Sequence, residues 1–573
     1  MPRTERHLIL CGGLAGKETG FKVLRLQTGK ERDKGQIYLD VESLTKKLVE
    51  SIPPALYDLL KIATYVYVAD QCVSRGGPKR FDYGEDWHRQ FRFVVPVKGH
   101  DVWSDSAMRA ALEETLGFVS GDTYEFQFEP QGSRNDPDWL NFTGDADPGQ
   151  DFNSVMLFSG GLDSFTGATE EILRHGVNPV LVGHYSCNPM KGLQRGLFEY
   201  LVGLRHNGMK PLHVPIGINK DKELTRDTCQ RTRSFLYGTL GAVVARRFGL
   251  DHVRFYENGI VSCNLPFDGQ TYQAKNTRST HPKFLRLFSE LVGTIIDAEF
   301  HFENPYFEMT RTDVCLRLKE LRHEAEIEHT RSCAKAMYVN PATHCALCSQ
   351  CIDRRFATLA GECAQYDPDR LYARCIFTEG IESAVDRAMV AGFAGFATQM
   401  ESMTAEGFAA EFSSDLMEIG KYMPGSSFEE KAKSLYELHR RQASQVNGVL
   451  AGKMAIEFPR LRRGALPDSC LLHMIGRKEH LDPNKILVEG RLGQDQEGIK
   501  AEGNTGGRRT RGRKRKYSDE KLRLMIRTVE DLQANGMDSK GAWNNAADTH
   551  GFPSGDAART ASNRYLKNKS ERN

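Results

Sequence analysis

The stretch Ser159–Ser164, SGGLDS, constrains this 573-residue chain more than any other. The residues before it, SVMLF, read as a short apolar strand, and SFTGATEEILRHG after it reads as a helix closing at Gly176. A strand that turns sharply into a helix brings unpaired backbone N–H groups to one point, where an anion can sit. Gly160 and Gly161 let the backbone turn tightly, and Ser159 and Ser164 add hydroxyl donors. Asp163 repels bare phosphate, so its place in such a loop makes sense with Mg²⁺ held between its carboxylate and the phosphates. A Gly–Ser turn with an Asp cap would look similar alone; the flanking strand and helix favour a nucleotide. The lysine of a GxxxxGK[ST] loop is absent, so that class of nucleotide-binding site is not supported.

The alternation continues downstream. NPVLVGHYS and PLHVPIG read as strands, TRSFLYGTLGAVVARRFG as a helix closed by Gly249, and HVRFYENG as a strand and turn. This predicts an α/β domain with a mainly parallel sheet over residues 149–375, with ligands beyond the C-terminal strand ends. Residues 1–148 read as an accessory α+β region, with a helix from Pro54 to about Cys72 and a strand in FRFVVPVKG. The glycines of CGGLAGKETG match no phosphate-loop spacing and read as a turn. Residues 376–500 read as a helical region, 501–517 as a basic linker, and 518–573 as a small helix-turn-helix-like module of three short helices.

Net charge is only +2, and the excess sits in Arg508, Arg509, Arg511, Arg513, Lys514, Arg515 and Lys516. The body is therefore not a general polyanion binder, whereas residues 508–569 could contact nucleic acid through phosphates or a narrow minor groove. A solubilising linker with a small docking module is the plainer reading. No apolar stretch approaches the ~20 residues of a membrane span, and MPRTERHLIL leads to no cleavage site. A cytoplasmic protein is expected.

Four of the 13 cysteines, Cys333, Cys345, Cys348 and Cys351, form a C-x11-C-x2-C-x2-C pattern. Four thiolates this close suit tetrahedral zinc in a reducing compartment, and full sulfur coordination makes the metal structural rather than catalytic. Part of an iron–sulfur centre and a metal-free buried set are the alternatives, and His344 could compete as a ligand.

The SGGLDS loop resembles that of the PP-loop ATP pyrophosphatases, which cleave ATP between its α- and β-phosphates and leave AMP on the substrate. With the cysteine cluster and the following CIDRRF, residues 150–375 look like the 7-cyano-7-deazaguanine synthase family. The resemblance implies ATP, Mg²⁺ and Zn²⁺ as cofactors. It implies adenylation of 7-carboxy-7-deazaguanine, attack by ammonia to give an amide, and a second activation to give a nitrile. Ser159, Gly160, Gly161, Leu162, Asp163 and Ser164 would hold the nucleotide. Arg231 and Arg233, on a segment similar to the family's arginine–FL helix, would meet the polyphosphate. His184 and Asn258 would line the nucleotide site, and His281 and Phe284 the acceptor pocket.

Two departures stand out. The first cysteine interval is longer than usual for the family, and TRSTHP replaces its aspartate-rich base-recognition stretch. Forms with large added regions resemble proteins of bacterial anti-phage defence operons, in which a protein amine would replace ammonia as acceptor. Regions 1–148 and 376–500 would then form a docking surface. Other readings are an adenylating PP-loop enzyme acting on a nucleic-acid base, and a nucleic-acid-binding regulatory subunit that binds nucleotide without turnover.

Overall fold

The computed structural model describes residues 5–16, 18–28, 36–41, 52–75, 87–131, 140–142, 151–204, 210–220, 225–226, 230–266, 277–335, 344–425, 427–477, 482–489, 528–529, 533 and 539–549. Residues Met1–Gln494 form one compact unit and Asp495–Asn573 another.

Within the first unit the strands are β1 (Arg6–Cys11), β2 (Lys22–Thr28), β3 (Gln36–Val41), β4 (Gln90–Val97), β5 (Thr123–Pro130), β6 (Leu140–Phe142), β7 (Ser154–Leu157), β8 (Pro179–Tyr185), β9 (Leu212–Asn219), β10 (His252–Arg254) and β11 (His301–Glu303). They form two blocks whose pairings are all parallel. One runs β5-β4-β1-β2 and the other β9-β8-β7-β10-β11. β3 joins them, parallel to β2 at Gln36 and Ile37 and antiparallel to β9, and its residues 39–41 also pair in parallel with β6. The α/β expectation with a parallel sheet is met, and the sheet extends through residues first read as an α+β accessory region.

The two blocks differ in how they are covered. β7 is buried along its whole length and β8 along all but its last residue, as expected for parallel strands with helices on both faces. β4 and β5 alternate, burying every second residue. Their inner face carries an aromatic ladder in which Phe93 stacks on Phe126 at 5.2 Å and Phe126 on Phe128 at 5.7 Å.

The helix Pro54–Cys72 has no solvated face. Every residue from Ala55 to Gln71 is buried, and the helix packs against Arg233–Arg247 and Pro282–Ile296. Polar side chains on it need partners at such burial, and they have them. Asp58 accepts the N–H groups of Lys98 and Gly99 at 3.0 and 2.7 Å, and Lys61 donates to Gln131 at 3.1 Å.

Near its C-terminal end, Asp70 enters a buried group of two acids and two bases. Arg75 donates to Asp70 at 3.0 Å and to both oxygens of Asp122 at 3.1 and 3.0 Å. Arg89 reaches Asp70 at 2.5 Å and Asp122 at 2.6 Å. The four side chains are 3% exposed or less, so no water screens them. Burial alone would push the Asp122 carboxyl up, but Arg89 and Arg75 outweigh it and hold it below the usual range.

Residues 384–476 are helical in the main, led by Ala384–Met400 and the long Phe428–Arg462, and share a core with the cysteine cluster. In the second unit, the second of the three helices expected there forms at Ser539–Thr549, with Ala542, Ala546 and Ala547 buried. The basic run 508–516 and the third expected helix lie outside the described residues. Among the described residues, no helix is long and apolar enough to cross a membrane.

Removing one acid from the buried group strands its arginines. Asp122→Ala should cost about 3–5 kcal/mol of unfolding free energy, read by urea denaturation. A loss below about 1 kcal/mol would mean that the charges are hydrated rather than sealed.

Candidate active site

The chain leaves β7 at Leu157, turns through Phe158–Gly161 and enters the helix Leu162–Arg174. Gly160 has φ +79°, and a Cβ there would lie 2.5 Å from Leu193, so both backbone and space require glycine. The turn is tied on two sides. Arg331 N–H donates to the Gly160 carbonyl at 2.9 Å. Gln194 donates through Nε2 to the carbonyls of Ser159 and His184, both at 3.1 Å, linking the loop to the end of β8.

The Ser159 and Ser164 hydroxyls face each other at 3.1 Å across the mouth of the turn. Gly161 occupies the N-cap and supplies no side-chain acceptor. Among the described residues, the backbone N–H groups of Leu162, Asp163 and Ser164 meet no protein acceptor. Three open donors, two hydroxyls and the positive end of a helix dipole converge there.

Asp163 is 6% exposed and does not point into open solvent. Its Oδ2 accepts from Asn258 backbone N–H at 3.1 Å and from Asn258 Nδ2 at 3.0 Å, with Arg311 Nη2 at 3.4 Å. Its Oδ1 has no hydrogen-bond partner among the described residues. A buried carboxylate oxygen without a partner suits a cation, so Asp163 fits a role as an Mg²⁺ ligand.

Arg311 is nearly enclosed and sits between acids. Its Nε lies 3.2 Å from Asp353, and its Nη2 donates to Gln350 at 2.7 Å. Burial pushes the Asp353 carboxyl up to about 6, against the pull of Arg311. Glu257 accepts from Thr280 at 2.8 Å, and its carboxyl is raised by burial, with the nearby Asp163 charge adding to the effect. The loop is thus backed by a compact group of Asp163, Glu257, Asp353 and Arg311.

The remaining expected residues divide. Arg233 is exposed at the start of its helix, over the Tyr237 ring at 5.4 Å, with its guanidinium in no ion pair among the described residues. Arg231 is buried instead. It donates to the Ser120 carbonyl and lies 4.7 Å from the Trp87 ring, and among the described residues nothing bonds it to Ser159–Ser164. Asn258 spends its amide on Asp163 and caps Gly259–Cys263 by accepting from Val261 N–H at 3.2 Å. It holds the aspartate rather than presenting an open amide to a ligand.

His184, near the end of β8, meets the Tyr237 hydroxyl through Nδ1 at 2.9 Å. His281 caps Pro282–Ile296, accepting from Lys283 N–H at 3.2 Å, with Phe118 edge-on at 4.9 Å. Phe284 is wholly enclosed, 5.4 Å from Phe288. It belongs to the core, because its helix turns that face inward.

The four cysteine sulfurs lie within 4.8 Å of one another. Cys345 and Cys351 Sγ are 3.8 Å apart, about the edge of a tetrahedron with the ~2.3 Å bonds of zinc to sulfur. Cys348 N–H points at Cys345 Sγ at 3.4 Å, and Ala346 between them takes a left-handed φ of +67°, the tight turn that pairs the two thiols. The group could hold a metal ion such as zinc. His344 is not in that group, and its ring stacks on Tyr372 at 5.1 Å.

Arg311 and Asp353 were invisible to motif reading. Arg311 follows no pattern of spacing, and Asp353 sits in CIDRRF, where the cysteines and arginines draw attention. Asn258 was marked by the resemblance, although its partner Asp163 was not tied to it.

His184 and His281 each have an imidazole lowered from 6.5 to about 3, chiefly by burial, and then by neighbouring cations. Each is neutral when folded but takes a proton once unfolded. Stability is therefore full above the ordinary value and falls as pH drops toward about 3, at about 1.4 kcal/mol per pH unit per proton. His281→Asn keeps an N-cap acceptor and should flatten that fall, measured by urea unfolding near neutrality and at about pH 5. An unchanged slope would mean that His281 is protonated in the fold. Turning to known proteins, the chain matches no protein-family model and no curated protein.

Proposed function

We propose that this chain is an AMP-forming, ATP-dependent enzyme that activates a 7-carboxy-7-deazaguanine-type carboxylate for attack by an amine. The observation that carries the reading is the turn at Ser159–Ser164: three open N–H donors, two hydroxyls and the partnerless Asp163 Oδ1 at one helix start.

The carboxylate oxygen would attack the α-phosphorus of ATP, breaking the bond to the β-phosphate and releasing pyrophosphate. Leu162, Asp163 and Ser164 N–H groups and the two serine hydroxyls would receive the charge gathering on that leaving group. Mg²⁺, bound through Asp163, would neutralise phosphate charge. Arg233 is the cation free to approach the polyphosphate from the neighbouring helix, whereas Arg231 is committed elsewhere. Asn258 and Arg311 would keep Asp163 oriented. Attack of ammonia or a protein amine on the acyl carbon would expel AMP and leave an amide. A second activation of that amide and loss of AMP would give a nitrile.

For the cysteine cluster the reading is structural zinc. Four sulfurs complete its coordination and leave no position for substrate. Elemental analysis should find about one zinc per chain, lost with Cys348→Ser; iron in its place would overturn the assignment.

The decisive assay incubates the purified chain with Mg-ATP and 7-carboxy-7-deazaguanine, with and without ammonium, and follows AMP and the heterocycle by mass spectrometry. Substrate-dependent AMP with amide or nitrile is expected. A stalled acyl-adenylate would point to a protein amine as acceptor, and no substrate-dependent AMP would remove this substrate class. Asp163→Asn should lower AMP formation by about 10²–10³-fold in a chain that still folds. Equal turnover would sink the role given to Asp163.

A further inference from the structure

Each of residues 230–232 is held by a side chain or backbone group from the first 142 residues. The Tyr67 hydroxyl donates to Gln230 Oε1 at 3.0 Å. Arg231 is fixed by Ser120 and Trp87. Thr232 gives both its N–H and its hydroxyl to Asp70 Oδ2, each at 3.1 Å. Slightly upstream, Arg226 N–H donates to the Gln71 carbonyl at 2.8 Å.

Thr232 is the informative residue. It stands at the N-cap of Arg233–Arg247, where a threonine hydroxyl ordinarily accepts from the first turn of its own helix. Here it makes no such cap and donates to Asp70 instead. Asp70 can hold it firmly because its other oxygen, Oδ1, is gripped by Arg75 and Arg89. The next residue in the chain is Arg233, exposed and unpaired among the described residues, close to Tyr237 and within electrostatic reach of Tyr67 and Glu257.

We propose that Tyr67 and Asp70 are positioning residues for the nucleotide site, fixing the 230–232 turn so that Arg233 faces the polyphosphate. The amino-terminal region is then part of the catalytic unit rather than a separable module. This rests on the reading of Arg233 as a phosphate ligand. Tyr67 and Asp70 touch no reacting atom; they act through Gln230, Thr232 and Arg233.

The test is a double-mutant cycle on the full chain, with Mg-ATP binding measured by calorimetry. Tyr67→Phe and Thr232→Val should each weaken binding roughly tenfold, and Thr232→Ser should restore it. In an Arg233→Ala background neither substitution should cost anything further. Equal, additive losses in that background would show a general structural effect and overturn the proposal. A ligand-free arm keeps the two readings apart. Hydrogen exchange at residues 230–236 should speed at least about tenfold in Thr232→Val, while residues 154–174 stay unchanged. Should the native chain bind no Mg-ATP, the nucleotide reading fails, and the exchange result still decides whether Asp70 holds the turn. Unaltered exchange would overturn the positioning role.

Discussion

The buried helix Pro54–Cys72 is the piece on which the first unit depends. A helix with no wet face can exist only if other elements cover it on all sides, and here they include Arg233–Arg247 and Pro282–Ile296. The charged group at its end adds a condition that apolar packing does not. Two acids and two bases sealed from water are stable only as a complete set, since any one left alone would bear an uncompensated desolvation cost. Asp70 belongs to that set and also holds Thr232, so the amino-terminal strands and the second block share one electrostatic fixture.

The candidate site follows from parallel sheet geometry. β7 and β8 lie side by side, Leu157 opposite Val182, and β8 runs on to Tyr185, so the turn after β7 and His184 come to the same end of the sheet. Gln194 makes the register firm by bonding to a carbonyl on each. On the other flank, Asn258 follows β10 and reaches Asp163 directly. Three neighbouring strands thus deliver the loop, its brace and its flank, and the low dielectric behind them strengthens each polar contact.

Much of this was legible in the sequence. Short apolar runs broken by glycine gave the strands of the second block, and Gly176 and Gly249 closed their helices where a positive φ was needed. The loop itself was readable because Gly160 cannot be replaced without meeting Leu193. The amino-terminal region was harder. Its sheet is parallel, but β4 and β5 alternate in burial, a pattern that sequence alone shares with antiparallel strands. Arg231 and Arg233 look alike as letters, and only their surroundings separate a buried strut from an accessible cation. Phe284 and His281 are equally hard to separate from the letters: an aromatic and an imidazole at a helix start can serve packing and capping as well as recognition.

The bond from Arg331 N–H to the Gly160 carbonyl has a consequence for anyone wishing to move this site to another scaffold. Arg331 lies just before Cys333, so the same few residues close the loop and begin the cysteine cluster. Loop and cluster, far apart in the chain, are therefore a single transplantable part. A graft carrying the strand, turn and helix alone would leave the turn without its latch, and a redesign of the cluster would have to preserve the spacing that delivers it.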